Sequence, residues 1–166
     1  MNTATTPTNI DALRMLFGIN YQVLQKNLEG VTQEDSLLQP FGGGNCLNWV
    51  LGHIVATRDG ALQLLRQEPV WSKDQAANYR RGSAPIRDGA QALPLEKIVA
   101  DLGQSQERLL AGLGQVTESE LSAPGPDRSV AETVGETLFV LHMHDAYHAG
   151  QTGLLRRMAG HEGAIK

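Results

Sequence analysis

The spacing of the apolar residues constrains this chain most. In four separate stretches, apolar residues recur on one face at helical spacing, the repeat of an α-helix with one buried face. The first stretch carries Ile10, Leu13, Phe17, Leu24, Leu28 and Val31, with Tyr21 in the gap. The second carries Leu47, Val50, Leu51, Ile54, Val55, Leu62 and Leu65. The third carries Leu95, Ile98, Leu102, Leu109, Leu113 and Val116, and the fourth Val130, Val134, Leu138, Leu141, Leu155 and Met158. Terminal signals bracket these runs. Thr8 with Asp11 is a weak capping box, Asn45 is a suitable N-cap, and Ser129 with Glu132 forms a capping box. Pro94 suits a first helical turn. Pro69 and Gly160 mark stops. Strand-like alternation is scarce, so the predicted class is all-α, with four amphipathic helices in a bundle. The 166 residues are read as one domain, 1–166.

About 25 residues, 68–93, separate the second and third helices without strong periodicity. A connection of that length is unusual unless it is a crossover or a lid. It carries Trp71, Tyr79, Arg80 and Arg81. Small residues four apart, Ala146 with Gly150 and Ala149 with Gly153, predict close backbone approach along the fourth helix.

Fourteen Lys and Arg against 18 Asp and Glu leave a net charge of −4. That balance disfavours a protein whose work is neutralising phosphates, so no nucleic-acid partner is expected. The single cysteine, Cys46, excludes an intrachain disulfide framework and reads as a small buried residue. No apolar run reaches membrane length, and residues 1–7 lack the basic and apolar regions of a signal peptide. A cytoplasmic protein with no membrane partner is the expectation.

The chemistry concentrates in the histidines. His144 and His148 are one turn apart, about 40° on the helical wheel, and can converge on one metal ion. His142 points about 200° away from His144, and His161 follows the helix end. His53 lies mid-helix at the edge of the second apolar stripe, with Trp49 on the same face and Cys46 two turns earlier. A polar ring so placed needs a partner. If the second and fourth helices are neighbours, His53, His144 and His148 make a three-nitrogen set that leaves a metal position open, the pattern of a catalytic site. Zinc is the default ion; nickel, cobalt, copper and iron also accept imidazoles. Gln151 and Tyr147 flank the histidine face as pocket candidates with Trp49. The run His144-Asp145-Ala146-Tyr147-His148 differs from the H-E-x-x-H metalloprotease motif by the shorter Asp, whose reach to an activated water is doubtful.

Two segments together, Asn48-Trp49-Val50-Leu51-Gly52-His53-Ile54 and His144-Asp145-Ala146-Tyr147-His148-Ala149-Gly150-Gln151, with the Pro40-Phe41-Gly-Gly-Gly-Asn45 lead-in and the long crossover, resemble the DinB-like superfamily, relatives of bacillithiol and mycothiol S-transferases. The resemblance implies a four-helix bundle of up-down-down-up topology, commonly a homodimer. It implies a divalent metal, zinc or nickel, on His53, His144 and His148. It also implies a low-molecular-weight thiol as co-substrate and a small-molecule electrophile, with S-transfer as the reaction. Arg80 and Arg81 would hold a substrate carboxylate if the crossover folds over the site. Metal-assisted hydrolysis and a non-catalytic metal-binding bundle are the alternative readings.

Overall fold

A computed structural model describes residues 9–165. The Thr8 cap and the segment 1–7 lie outside them. The described residues form α1 (Asn9–Leu28), α2 (Gln33–Ser36), α3 (Leu47–Leu64), α4 (Lys73–Ala76), α5 (Leu95–Leu113), α6 (Glu118–Leu121) and α7 (Val134–Met158). Among the described residues there is no strand, only an isolated bridge between Pro124 and Thr133. No helix among them is long and apolar enough to cross a membrane.

The four long helices are the four periodic stretches, and they pack as a ring in which α3 touches α5 and α7 and α1 touches the same two. Side-chain pairings give their relative directions. Asn20 Nδ2 donates to the His142 carbonyl and Asn27 Nδ2 to that of Ala149, so α1 and α7 run together. Asn48 reaches the Leu93 carbonyl and Arg58 reaches Ser105, so α3 and α5 run together. Along α3 and α7 the order is opposed: Trp49 and Val50 share a cavity wall with Leu155 and Met158, whereas Arg58 meets Asp145.

The apolar faces bury two clusters. One contains Leu24, Leu51, Ile54, Ile98 and Leu102; the other contains Leu13, Phe17, Leu62, Leu109 and Leu138. Each such side chain contributes roughly 1.5–3 kcal/mol when fully removed from water. Between the clusters, at the same level on three helices, sits a polar layer. Arg58 lies between Ile54 and Leu62, Ser105 between Leu102 and Leu109, and Asp145 between Leu138 and Ala149. Arg58 Nε donates to Asp145 at 2.7 Å, and both side chains are 1% exposed.

Several expected boundaries shift. The N-cap of α3 is Cys46 rather than Asn45, and it makes no side-chain cap bond. Cys46 is fully buried with its thiol 3.6 Å from the Ile86 carbonyl, so packing sets the entry to the helix. Pro94 is the N-cap of α5. The capping box of α7 is Thr133 with Glu136, not Ser129 with Glu132. Ser129 instead bonds the Asp127 carboxylate in a local turn, and Val130 is exposed. Val31 and Val116 lie beyond the ends of α1 and α5, though both pack on the core. Gly160, at φ +88°, follows the end of α7 as expected.

The crossover is mostly exposed and carries the short helix α4, and a few buried side chains anchor it to the bundle. Asp59 accepts from the backbone N–H groups of Val70 and Trp71, and the Trp71 indole donates to Asp101. Tyr79 is fully buried against α3; its hydroxyl donates to Asn48 and accepts from the Leu93 N–H. Close approach along α7 is found at Gly153, where a Cβ would lie 3.3 Å from Asn27 Nδ2, and not at Gly150, where it would meet nothing within 4 Å; a tighter one lies at Gly52 on α3. A Cβ on Gly52 would lie 2.1 Å from the Tyr79 ring. Gly52→Ala is expected to lower stability by about 1–3 kcal/mol through overpacking, read by denaturant titration. A change below a few tenths would show that Tyr79 is not held there.

Candidate metal centre

Residue spacing on two antiparallel helices builds the site. His53 sits mid-way along α3, and His144 and His148 follow each other by one turn on α7. Their rings meet edge to face, with centroids 4.4 to 5.0 Å apart. His144 Nε2 lies 3.1 Å from His53 Nε2 and 3.2 Å from His148 Nε2. One ligand atom from each of the three lies within 4.8 Å of the others. His53 and His148 are buried and His144 is partly so.

Hydrogen bonds on the far side orient two of the rings. His53 Nδ1 donates to the Tyr79 carbonyl at 2.7 Å, and His148 Nδ1 donates to Gln151 Oε1 at 2.7 Å. A neutral imidazole carries one N–H, so the Nε2 atoms of His53 and His148 present lone pairs. His144 can place at most one proton between them, and its own buried Nδ1 has no partner. Three nitrogens thus share a space with too few protons to bond them all. Two nitrogens held at about 2.1 Å from one tetrahedral ion are themselves roughly 3.4 Å apart, close to the separations observed. The donor set fits a divalent cation.

The electrostatics favour neutral rings. Burial pushes His53 below its ordinary value. Burial, reinforced by the neighbouring His148 and His53, pushes His144 down to about 4. The metal-free folded protein therefore binds fewer protons than the unfolded chain below the ordinary value of 6.5. Stability contributed by neutral His53 and His144 is present above pH 6.5 and drains away as pH falls toward 4. Denaturant titration of metal-free protein at pH 7.5 and 5 should show this loss, and His144→Gln should reduce it. An identical pH slope in the variant would contradict it.

Around the rings, Trp49 stacks on His53 with centroids 4.7 Å apart, and its indole donates to Ser83. Tyr147 meets His148 edge to face at 5.0 Å and is largely exposed. A cavity of about 390 Å³ opens beside His148, walled by Trp49, Tyr147, Gln151, Leu154 and Leu155. A larger cavity of about 840 Å³, between α1, α5 and the end of the crossover, contains no histidine.

All three pocket candidates and all three histidines read from the sequence thus come together. His142 faces away, against Phe17, and His161 pairs with Asp35. Asp145 is no hydrolytic base: it is fully buried on Arg58, where burial pushes its carboxyl up against the pull of the guanidinium. Arg80 and Arg81 are exposed and do not wall the cavity. Burial pushes the Cys46 thiol up, which leaves it unreactive. Arg58 is marked in the sequence only by the pair Arg58-Asp59 inside an otherwise apolar run. Tyr79 stands out as an aromatic residue of the crossover, but its carbonyl bond to His53 has no sequence pattern.

No curated protein matches the chain in sequence. A conserved protein from Enterococcus faecalis, known from its crystal structure, shares the fold with a TM-score of 0.72 at 16% identity, over 93% of this chain and 98% of that one. The family model for the DinB superfamily matches residues 16–152. With the paired helices, the ordered histidines and that match in agreement, the chain belongs to the DinB superfamily.

Proposed function

We propose that the chain is a metal-dependent enzyme of the thiol S-transferase type, with His53, His144 and His148 as the ligands of a zinc or nickel ion. The observation that carries this reading is the convergence of three Nε2 atoms, two of them fixed as lone-pair donors, beside an open cavity. A divalent ion held there supplies the Lewis acidity that makes a thiol a nucleophile at neutral pH. The protein's own part is orientation. Tyr79 and Gln151 lock the two outer rings, and Trp49 and Tyr147 wall the approach. In the reaction a thiol exchanges its S–H bond for an S–C bond to an electrophilic carbon. The leaving group departs with its bonding pair, and the proton passes to solvent.

The test is conjugation of a small thiol to a chromogenic electrophile by metal-loaded protein and by chelator-treated protein. The reading expects turnover that disappears with chelation and returns on adding zinc or nickel. Equal rates in both preparations, or none across a broad thiol panel, would overturn it.

A further inference from the structure

Phe41 is fully exposed, more so than any other large apolar side chain among the described residues. It stands on the segment 37–46 that joins α2 to α3. The Gly43 N–H donates to the Pro40 carbonyl at 3.2 Å, which closes a turn with Phe41 and Gly42 at its tip. Gly42, Gly43 and Gly44 have φ of +81°, +96° and +119°, a region open to glycine and strained for other residues. At Gly42 and Gly43 a Cβ would meet nothing within 4 Å, so conformation and not crowding calls for glycine there. Three such residues in a row let the backbone change course at little cost, which is what a hinge requires. The same segment walls the cavity beside His148 through Pro40, Gly43, Gly44 and Asn45. Tyr147, Leu154 and Met158 of α7 line that cavity too, and all three are exposed. Phe41 does not line it. Single apolar side chains in solvent are ordinary. Here a bare aromatic ring, a glycine hinge and an apolar cavity mouth adjoin. Phe41 is two residues from the wall at Gly43, at most about 7 Å of chain, so a rearrangement of the turn alone can carry the ring over the mouth.

We propose that Phe41 is the closing residue of this cavity: when a guest lies beside His148, the 40–44 turn folds inward and the ring covers the guest against Tyr147 and Leu154. With the cavity empty, the ring stays in solvent. Closure removes apolar surface of ring, rim and guest from water and keeps water off the thiol. The guest's polar end is left to the histidine-bound cation, Asn45 and Gln151, and Phe41 covers the remainder. Closure rests on the metal-site reading above for its guest, while the cavity and the turn stand apart from it.

The test uses the full chain loaded with cobalt(II) and titrated calorimetrically with benzyl mercaptan. Covering about half of a phenylalanine ring corresponds to about a tenfold change in affinity. Phe41→Ala is therefore expected to bind the thiol about tenfold more weakly, and Phe41→Leu within about threefold of the parent. Cobalt stoichiometry and the urea midpoint should not change in either, because the ring is fully exposed in the folded protein. Phe41→Trp is expected to emit as a solvent-exposed indole and to shift to the blue as benzyl mercaptan is added, after subtraction of the parent spectrum with the same thiol. Unchanged affinity in Phe41→Ala, or an emission that stays red-shifted at saturation, would overturn the proposal. So would sedimentation showing a dimer of the parent that Phe41→Ala dissolves, since the ring would then serve a second copy of the chain. Failure of cobalt to bind would instead overturn the metal reading. The emission of Phe41→Trp is then followed in metal-free protein with the same thiol: a blue shift supports closure, and its absence contradicts it.

Discussion

His148→Ala is expected to abolish stoichiometric binding of zinc or nickel, measured by calorimetry on chelator-stripped protein. His148 contributes one of the three converging nitrogens and lies 3.2 Å from His144 Nε2. The loss should exceed the ~10–100-fold that removal of an outer-sphere partner costs. Gln151→Ala removes such a partner, the acceptor for His148 Nδ1, and is expected to fall within that ~10–100-fold range. The order of the two effects matters more than their size. If Gln151→Ala were as damaging as His148→Ala, the ring would be held by Gln151 for some other purpose. Unchanged affinity in His148→Ala would remove the residue from the ligand set.

Arg58→Ala is expected to destabilise the protein by about 3–5 kcal/mol, because it strands the Asp145 carboxylate in the bundle interior. Against a typical domain stability of about 5–15 kcal/mol, that is a large share. The double replacement Arg58→Met with Asp145→Leu removes both charges and should recover much of the loss. Urea unfolding of the parent, Arg58→Ala and the double variant measures the loss and its recovery. A single-variant cost under about 1 kcal/mol would show that the pair is not dry. The layer also bears on the site, since Asp145 lies within electrostatic reach of His53 and sits between His144 and His148 in sequence. Arg58 offsets that negative charge; without it Asp145 would pull His53 more strongly toward its protonated form, against the effect of burial.

What could be read in advance divides along a physical line. Wheel geometry is local, so the pairing of His144 with His148 and the exclusion of His142 were accessible from spacing. Joining His53 to them required only that the second and fourth helices be neighbours, which they are as α3 and α7. Features that depend on tertiary choice were not accessible. Ser129-x-x-Glu132 and Thr133-x-x-Glu136 are equally good boxes, and pairing of Ser129 with Asp127 decided between them. Cys46 displaced Asn45 as the cap because its side chain is enclosed against Ile86. The crossover showed no period because its anchors act singly: Trp71 on Asp101, and Tyr79 in the hollow left by Gly52. The carbonyl that orients His53 comes from that irregular segment, and no sequence pattern announces a backbone acceptor.

X-ray absorption at the metal edge of protein loaded with one equivalent of zinc addresses the centre itself. Three imidazole nitrogens at about 2.0–2.1 Å, with a lighter exchangeable ligand completing the shell, are the expected first coordination sphere. On adding a small thiol, one sulfur at about 2.3 Å should replace the exchangeable ligand while all three nitrogens stay. Fewer than three imidazoles, or a shell made of carboxylate oxygens, would contradict a centre built on His53, His144 and His148.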